Sequence, residues 1–285
     1  MNILILGASG LIGSAVCRDS GADYRVFGTY LRNKCDIPVH WLKFDISGDD
    51  IAKSLGTANP DVIIAGLRGD FNDQLRVHRQ AADWAMQNKA RLIFLSTANV
   101  FDASPDRPHT ECDLPKAISE YGKYKIECER MLTGTLKEQA VIVRLPLVLN
   151  RKRLQTFVSN NLSGNDRMYA NFYRSINTDT AVAKAIRYII ENNLSGTVHL
   201  GSSDCIRDSD FMIKAAKRLN LPADRLNEDK LTEESFCSAL SCSSTDELTV
   251  QRNGSFYQVL NTNRADIPTE FHPSCEEVIN SAYAV

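Results

Sequence analysis

A phenol, an ammonium and a hydroxyl are the reactive groups whose spacing says most about this 285-residue chain. Tyr121 and Lys125 are four residues apart, which on a helix puts both side chains on one face. Thr97 closes the apolar run Arg91 to Ser96, which reads as a strand. Around a ketone these groups suit reduction: Tyr121 gives the proton, Thr97 polarises the carbonyl, and Lys125 stabilises the phenolate that remains. One ammonium is enough. Lowering a tyrosine pKa from about 10 to about 7 takes about 4 kcal/mol, and a charge about 4 Å away supplies that at an effective dielectric of about 20. Tyr30 and Lys34 repeat the spacing, but they fall where a second strand should end rather than on a helix.

Reduction needs a hydride donor, and Gly7-Ala8-Ser9-Gly10-Leu11-Ile12-Gly13 is a site for one. The segment follows the first apolar run at once and opens an amphipathic helix. Gly7 permits a tight turn, Gly10 lets the backbone approach a pyrophosphate, and Gly13 lets helix and strand pack closely. Amides of Ser9, Leu11 and Ile12 at the helix start attract the anion. A ribose-binding acid is expected about 20 residues further on, but the chain has Gly28-Thr29-Tyr30-Leu31-Arg32-Asn33-Lys34 there. With Arg32 and Lys34 at hand and no carboxylate, NADP is expected, NAD being the alternative. Solvated loop charges are the plainer account of the same two residues.

The elements that must position these groups alternate. Strands are expected at Asn2 to Leu6, Tyr24 to Thr29, His40 to Phe44, Val62 to Ala65, Arg91 to Ser96 and Ala140 to Leu145, with helices such as Phe71 to Gln87 and Ile118 to Leu132 between them. Strand-helix alternation predicts an α/β, doubly wound parallel sheet. A dinucleotide-binding domain is expected over 1–150, and a smaller C-terminal substrate-binding lobe over 151–285. The helix Asp179 to Asn192 and the strand Thr197 to Leu200 are expected to return to the main sheet, and Ser209 to Leu219, Thr232 to Leu240 and Pro273 to Tyr283 to form helices of the lobe.

Composition narrows the class. A net charge of -2 with 24% charged residues offers no nucleic-acid surface. No apolar run approaches the roughly 18 residues of a membrane span, and the N-terminus has no signal-like stretch, so a cytoplasmic protein acting on small molecules is expected. The eight cysteines have no metal-binding spacing and read as reduced, small hydrophobes. His109 and His199 read as loop and strand-end residues. Arg144 and Arg151-Lys152-Arg153 suit either a substrate diphosphate or a solvated helix start; Tyr169, Phe172 and Tyr173 suit either a nucleotide base or the core.

Together Gly7-x-x-Gly10-x-x-Gly13, Leu95-Ser96-Thr97-x-x-Val100-Phe101-Asp102, Glu111-x-Asp113 and Tyr121-Gly122-Lys123-Tyr124-Lys125 resemble extended short-chain dehydrogenases/reductases, nearest in look to dTDP-4-dehydrorhamnose reductases. The resemblance implies a Rossmann-like fold, a sugar-nucleotide substrate and Thr97, Tyr121 and Lys125 as the catalytic set, with Lys125 also holding the nicotinamide ribose. It implies that Asp45 and Ile46 flank adenine and that Ala65, Gly66 and Leu67 line the cofactor. A homodimer is compatible with it, and residue spacing offers no metal ligand set. Ala98 and Asn99 stand where those reductases usually have Asp-Tyr, and where dehydratases have an acidic pair, which disfavours dehydration. The alternatives are an NAD-dependent sugar-nucleotide 4-epimerase and a non-catalytic NADP-binding regulatory subunit, as in the methionine adenosyltransferase regulatory protein.

Overall fold

The structure, a computed structural model, describes residues 1–240, 248 and 254–284. Two compact units divide the chain: Met1–Ser96 with Tyr124–Arg144 and Val182–Val198, and Thr97–Lys123 with Leu145–Ala181 and His199–Val285.

The first unit is built on a seven-stranded sheet. Its strands are β1 (Asn2–Leu6), β2 (Arg25–Tyr30), β3 (His40–Lys43), β4 (Val62–Ala65), β5 (Arg91–Thr97), β6 (Ala140–Leu145) and β7 (Gly196–His199), in the order β7-β6-β5-β4-β1-β2-β3. Each lies within a residue of its apolar run. Ile3 to Leu6 are all buried, as expected of a strand covered on both faces. Parallel pairing of β1 with β2 on one side and β4 on the other puts the topological switch at β1, and ligands bind outside the carboxyl ends of such strands. The doubly wound, Rossmann-like fold expected from the alternation is therefore present.

Helices α1 (Leu11–Ser20), α2 (Ile51–Ala58), α3 (Phe71–Asn88), α4 (Glu120–Leu136) and α5 (Asp179–Glu191) accompany the sheet. Asp50 caps α2 and Asp70 caps α3 through their carboxylates, which satisfies amides that have no partner within the helix. Leu4 and Leu6 share one buried cluster with Leu55 of α2, Val77 and Ala81 of α3 and Cys128 and Leu132 of α4. Strand alternation sends Ile3 and Ile5 to the other face.

The second unit contains a parallel pair, Leu147–Leu149 with Ile176–Thr178, and a three-stranded sheet of Ile206–Arg207, Phe172–Arg174 and Phe256–Gln258. Helices Arg151–Leu162, Asp208–Arg218 and Cys275–Ala284 pack Leu154, Val158, Phe211, Met212, Val278 and Ile279 into one core. Phe172 belongs to a separate buried cluster with Phe236 and Phe256, and Tyr173 stacks on Tyr257 at 5.0 Å. Those two aromatic side chains pack against protein.

Among the described residues no helix is long and apolar enough to cross a membrane, and no group of His, Cys, Asp and Glu could hold a metal ion. The seven described cysteines are free thiols; Cys242 lies outside the described residues.

Candidate active site

The glycine-rich turn lies between β1 and α1 at the switch point. Gly7 has φ +85, a conformation other residues rarely adopt, and a Cβ there would stand 2.5 Å from the Gly66 carbonyl oxygen. Its N–H donates to Thr29 Oγ1 at 2.9 Å, which ties the turn to β2. A Cβ on Gly13 would lie 2.7 Å from the Ala8 α-carbon and closer still to the Gly7 carbonyl oxygen. Gly10 is the N-cap of α1 and offers no capping side chain, and no acid occupies the first turn. The leading amides of α1 are thus left for an anion, which fits a dinucleotide pyrophosphate.

The other expected cofactor residues lie within the same unit. Ala65 ends β4, and the Gly66 N–H continues the ladder onto the Leu6 carbonyl at 3.0 Å. Leu67 is buried. Asp45 curls onto Ser47, accepting its N–H at 3.0 Å and its hydroxyl at 2.7 Å, while the cap of α2 is Asp50. Those bonds, backbone first, lower the Asp45 pKa. Ile46 is partly buried and packs beside Gly69, where a Cβ would meet its side chain. Arg32 and Lys34 are exposed beyond β2, and Cys35 in the same loop reaches the Ser9 carbonyl at 3.8 Å.

Helix α4 carries both Tyr121 and Lys125. Lys125 is 5% exposed, and its ammonium donates to the Leu95 carbonyl at 2.9 Å and sits 4.4 Å from the centre of the Phe94 ring. Burial pulls its pKa down to about 8. Tyr121, in the first turn, is 40% exposed. One helical turn therefore separates an exposed phenol from a buried ammonium.

The start of α4 is held within the second unit by Asp102, whose carboxylate accepts the Ile118 N–H at 2.7 Å and the Ser119 hydroxyl. The Ser119 oxygen in turn accepts the Gly122 N–H at 2.9 Å. Burial raises the Asp102 pKa against these bonds. A Cβ on Gly122 would meet the Asn99 carbonyl oxygen at 2.5 Å and the Ala117 β-carbon at 2.6 Å. The residue after Tyr121 must therefore be glycine for the helix to begin there.

Thr97, also in the second unit, is 9% exposed at the end of β5. Its Oγ1 donates to Asn99 Oδ1 at 3.1 Å and accepts the Asn99 N–H at 3.3 Å, and Gln258 Nε2 donates to the same Asn99 oxygen at 3.3 Å. To polarise a ketone, the Thr97 hydroxyl must turn its proton from Asn99 to the substrate.

Arg144 is not available to a diphosphate. It is 4% exposed and pairs with Glu129 at 2.7 Å. Arg151 to Arg153 do open a helix, capped by Asn150, and the Arg151 guanidinium lies 5.0 Å from the Tyr283 ring centre. His109 is buried, stacked on Phe101 at 4.2 Å and bonded to the Ser104 carbonyl. Glu129 and Ser119 escaped the sequence reading, and Asp102 entered it only as a motif residue without a role. The only local signal was Glu129 at four residues from Lys125.

Residues 71–264 match the sequence profile of the RmlD substrate binding domain. The chain belongs to this family. The matched span takes in Thr97, Tyr121 and Lys125, with the glycine-rich turn preceding it. Among curated relatives, methionine adenosyltransferase 2 subunit beta of Rattus norvegicus is 25% identical over 251 residues, 79% of this chain and 74% of its own. The probable low-salt glycan biosynthesis reductase Agl14 of Haloferax volcanii is 25% identical over 236 residues, 74% of this chain and 78% of its own. The solved dTDP-4-dehydrorhamnose reductase of Bacillus anthracis, in complex with NADP, superposes with a TM-score of 0.72 at 18% identity, over 99% of this chain and 98% of that one. The RmlD-like chain thus has the fold of the sugar-nucleotide reductases.

Proposed function

We propose that this RmlD-family chain is a cytoplasmic NADPH-dependent reductase of a nucleotide-linked 4-keto-deoxysugar. The observation that carries the reading is the exposed Tyr121 one helical turn before the buried Lys125. In this reading Gly7, Ser9, Gly10, Leu11, Ile12 and Gly13 hold the pyrophosphate, Asp45 and Ile46 flank adenine, and Ala65, Gly66 and Leu67 line the cofactor. The chemistry supplied by the bound nicotinamide is hydride for the carbonyl carbon. Tyr121 delivers the proton to the carbonyl oxygen, Thr97 orients that oxygen, and Lys125 stabilises the phenolate and holds the nicotinamide ribose. The test is NADPH oxidation against a panel of 4-keto sugar nucleotides; one turnover should consume one cofactor, whereas a 4-epimerase would regenerate it.

Arg32 is the group proposed to meet the 2'-phosphate. Arg32→Ala should weaken NADPH binding roughly tenfold, the scale of one charge-assisted hydrogen bond, and leave NADH binding unchanged. Titrating both cofactors checks this, and equal losses for the two would remove Arg32 from that role.

The relatedness to methionine adenosyltransferase beta subunits favours a second reading, a non-catalytic NADP-binding regulatory subunit. A chain that binds NADPH, oxidises it with no keto sugar nucleotide and alters the kinetics of a partner enzyme would establish that reading instead.

A further inference from the structure

The last two residues of β5 before Thr97 are both tied to α4. Lys125 donates to the Leu95 carbonyl at 2.9 Å, and the Ser96 hydroxyl donates to Glu129 Oε1. Lys125 and Glu129 are one turn apart, so the two ties stack along the helix. Behind Glu129, Arg144 of β6 closes a two-point pair, Nε to Oε1 at 3.1 Å and Nη2 to Oε2 at 2.7 Å. Ser96, Glu129 and Arg144 are all buried.

We propose that Glu129 is a positioning residue for the reaction: anchored by Arg144, it locks the end of β5 onto α4 through Ser96 and keeps the Lys125 side chain in its ammonium form. The inference rests on reading Lys125 as the ammonium of the site. A buried ion pair can also be only a packing device, and charge separates the two accounts. Lys125 is faced by Arg68 from the segment after β4, by His78 from α3, by the Phe94 ring from β5, and by Cys128 and Glu129 on α4 itself. Burial, and then Lys125, pull His78 down to about 3, and burial pushes Cys128 up to about 11. Both are therefore neutral near pH 7, and Glu129 is the carboxylate among these neighbours that opposes desolvation and Arg68. Gln in its place would keep the shape and a partner for Ser96 while removing the charge.

Lysine side-chain NMR of the full chain, with the Lys125 signal assigned by Lys125→Arg, reads its titration without any turnover. Glu129→Gln should lower the midpoint by about one pH unit, the scale of one neighbouring charge at an intermediate dielectric, while Glu120→Gln in the exposed first turn of α4 should barely move it. An unchanged midpoint in a Glu129→Gln protein that melts like its parent would overturn the proposal. Should that variant not fold, Glu129→Gln with Arg144→Met is read against Arg144→Met alone, so that the two proteins differ only in the Glu129 charge; a lower midpoint in the double variant supports the proposal and an equal one overturns it. A lowered midpoint in a chain that reduces no ketone would keep Glu129's hold on Lys125 and end the reductase reading alone.

Discussion

Tyr121→Phe should lower turnover by about 100-fold or more while leaving NADPH affinity unchanged, the scale expected when a positioned acid is lost. The phenyl ring fits the same space, so only the proton and the hydroxyl's hydrogen bonds are removed. Tyr121 lies in the first turn of α4, whose start is set by Asp102, Ser119 and the close approach at Gly122. None of those contacts depends on the phenol, and folding should not suffer. Steady-state kinetics paired with cofactor titration checks the split; unchanged turnover would strip Tyr121 of its role. The wild-type pH profile supplies a second arm. The useful form of Lys125 is the ammonium, and its pKa is pulled down to about 8 by burial. Turnover should therefore hold below about pH 8 and fall as pH rises through that value, as the proton is lost. Lys125→Met should be poor throughout.

Gly13→Ala should cost about 100-fold in NADPH affinity and lower the melting temperature. A methyl there has no room: it would stand 2.7 Å from the Ala8 α-carbon and nearer to the Gly7 carbonyl oxygen. Both obstacles are backbone, so relief requires α1 to shift from β1 and its amides to leave the pyrophosphate position. A 100-fold loss is about 2.7 kcal/mol, within the usual cost of overpacking a tight contact, about 1–3 kcal/mol. Gly134→Ala is the control, since no atom lies within 4 Å of a Cβ built there and the site is on the exposed side of α4. That variant should be more stable by about 0.5–1 kcal/mol. Fluorescence titration and thermal melting report both variants. Full cofactor affinity in Gly13→Ala would mean that this turn is not the cradle.

The parts of the molecule legible in the sequence are those whose physics is local. A four-residue apolar run, a glycine turn and an amphipathic helix are each determined within a few residues of chain, so β1, the turn and α1 could be read directly. Alternation of such segments was enough for the sheet. The start of α4 was expected at Ile118, two residues early, because it is set by the Asp102 carboxylate, 17 residues before Ser119. Arg144 misled for a similar reason. Its position near the end of β6 suggested a substrate diphosphate or a solvated charge, and its partner Glu129 lies 15 residues back on another element. Glu129, though only a turn from Lys125, could not be told from a solvated helix charge until its burial was known.

By itself, then, the sequence determined the doubly wound fold, the glycine turn between β1 and α1 and the placing of Tyr121 and Lys125 one turn apart on a helix, because each follows from period and short spacing. Tertiary structure alone decided that Lys125 is buried and Tyr121 exposed, that Arg144 pairs with Glu129 inside, and that Asp102 and Ser119 fix where α4 begins. Desolvation and charge pairing depend on which distant segments come together, and no local pattern records that.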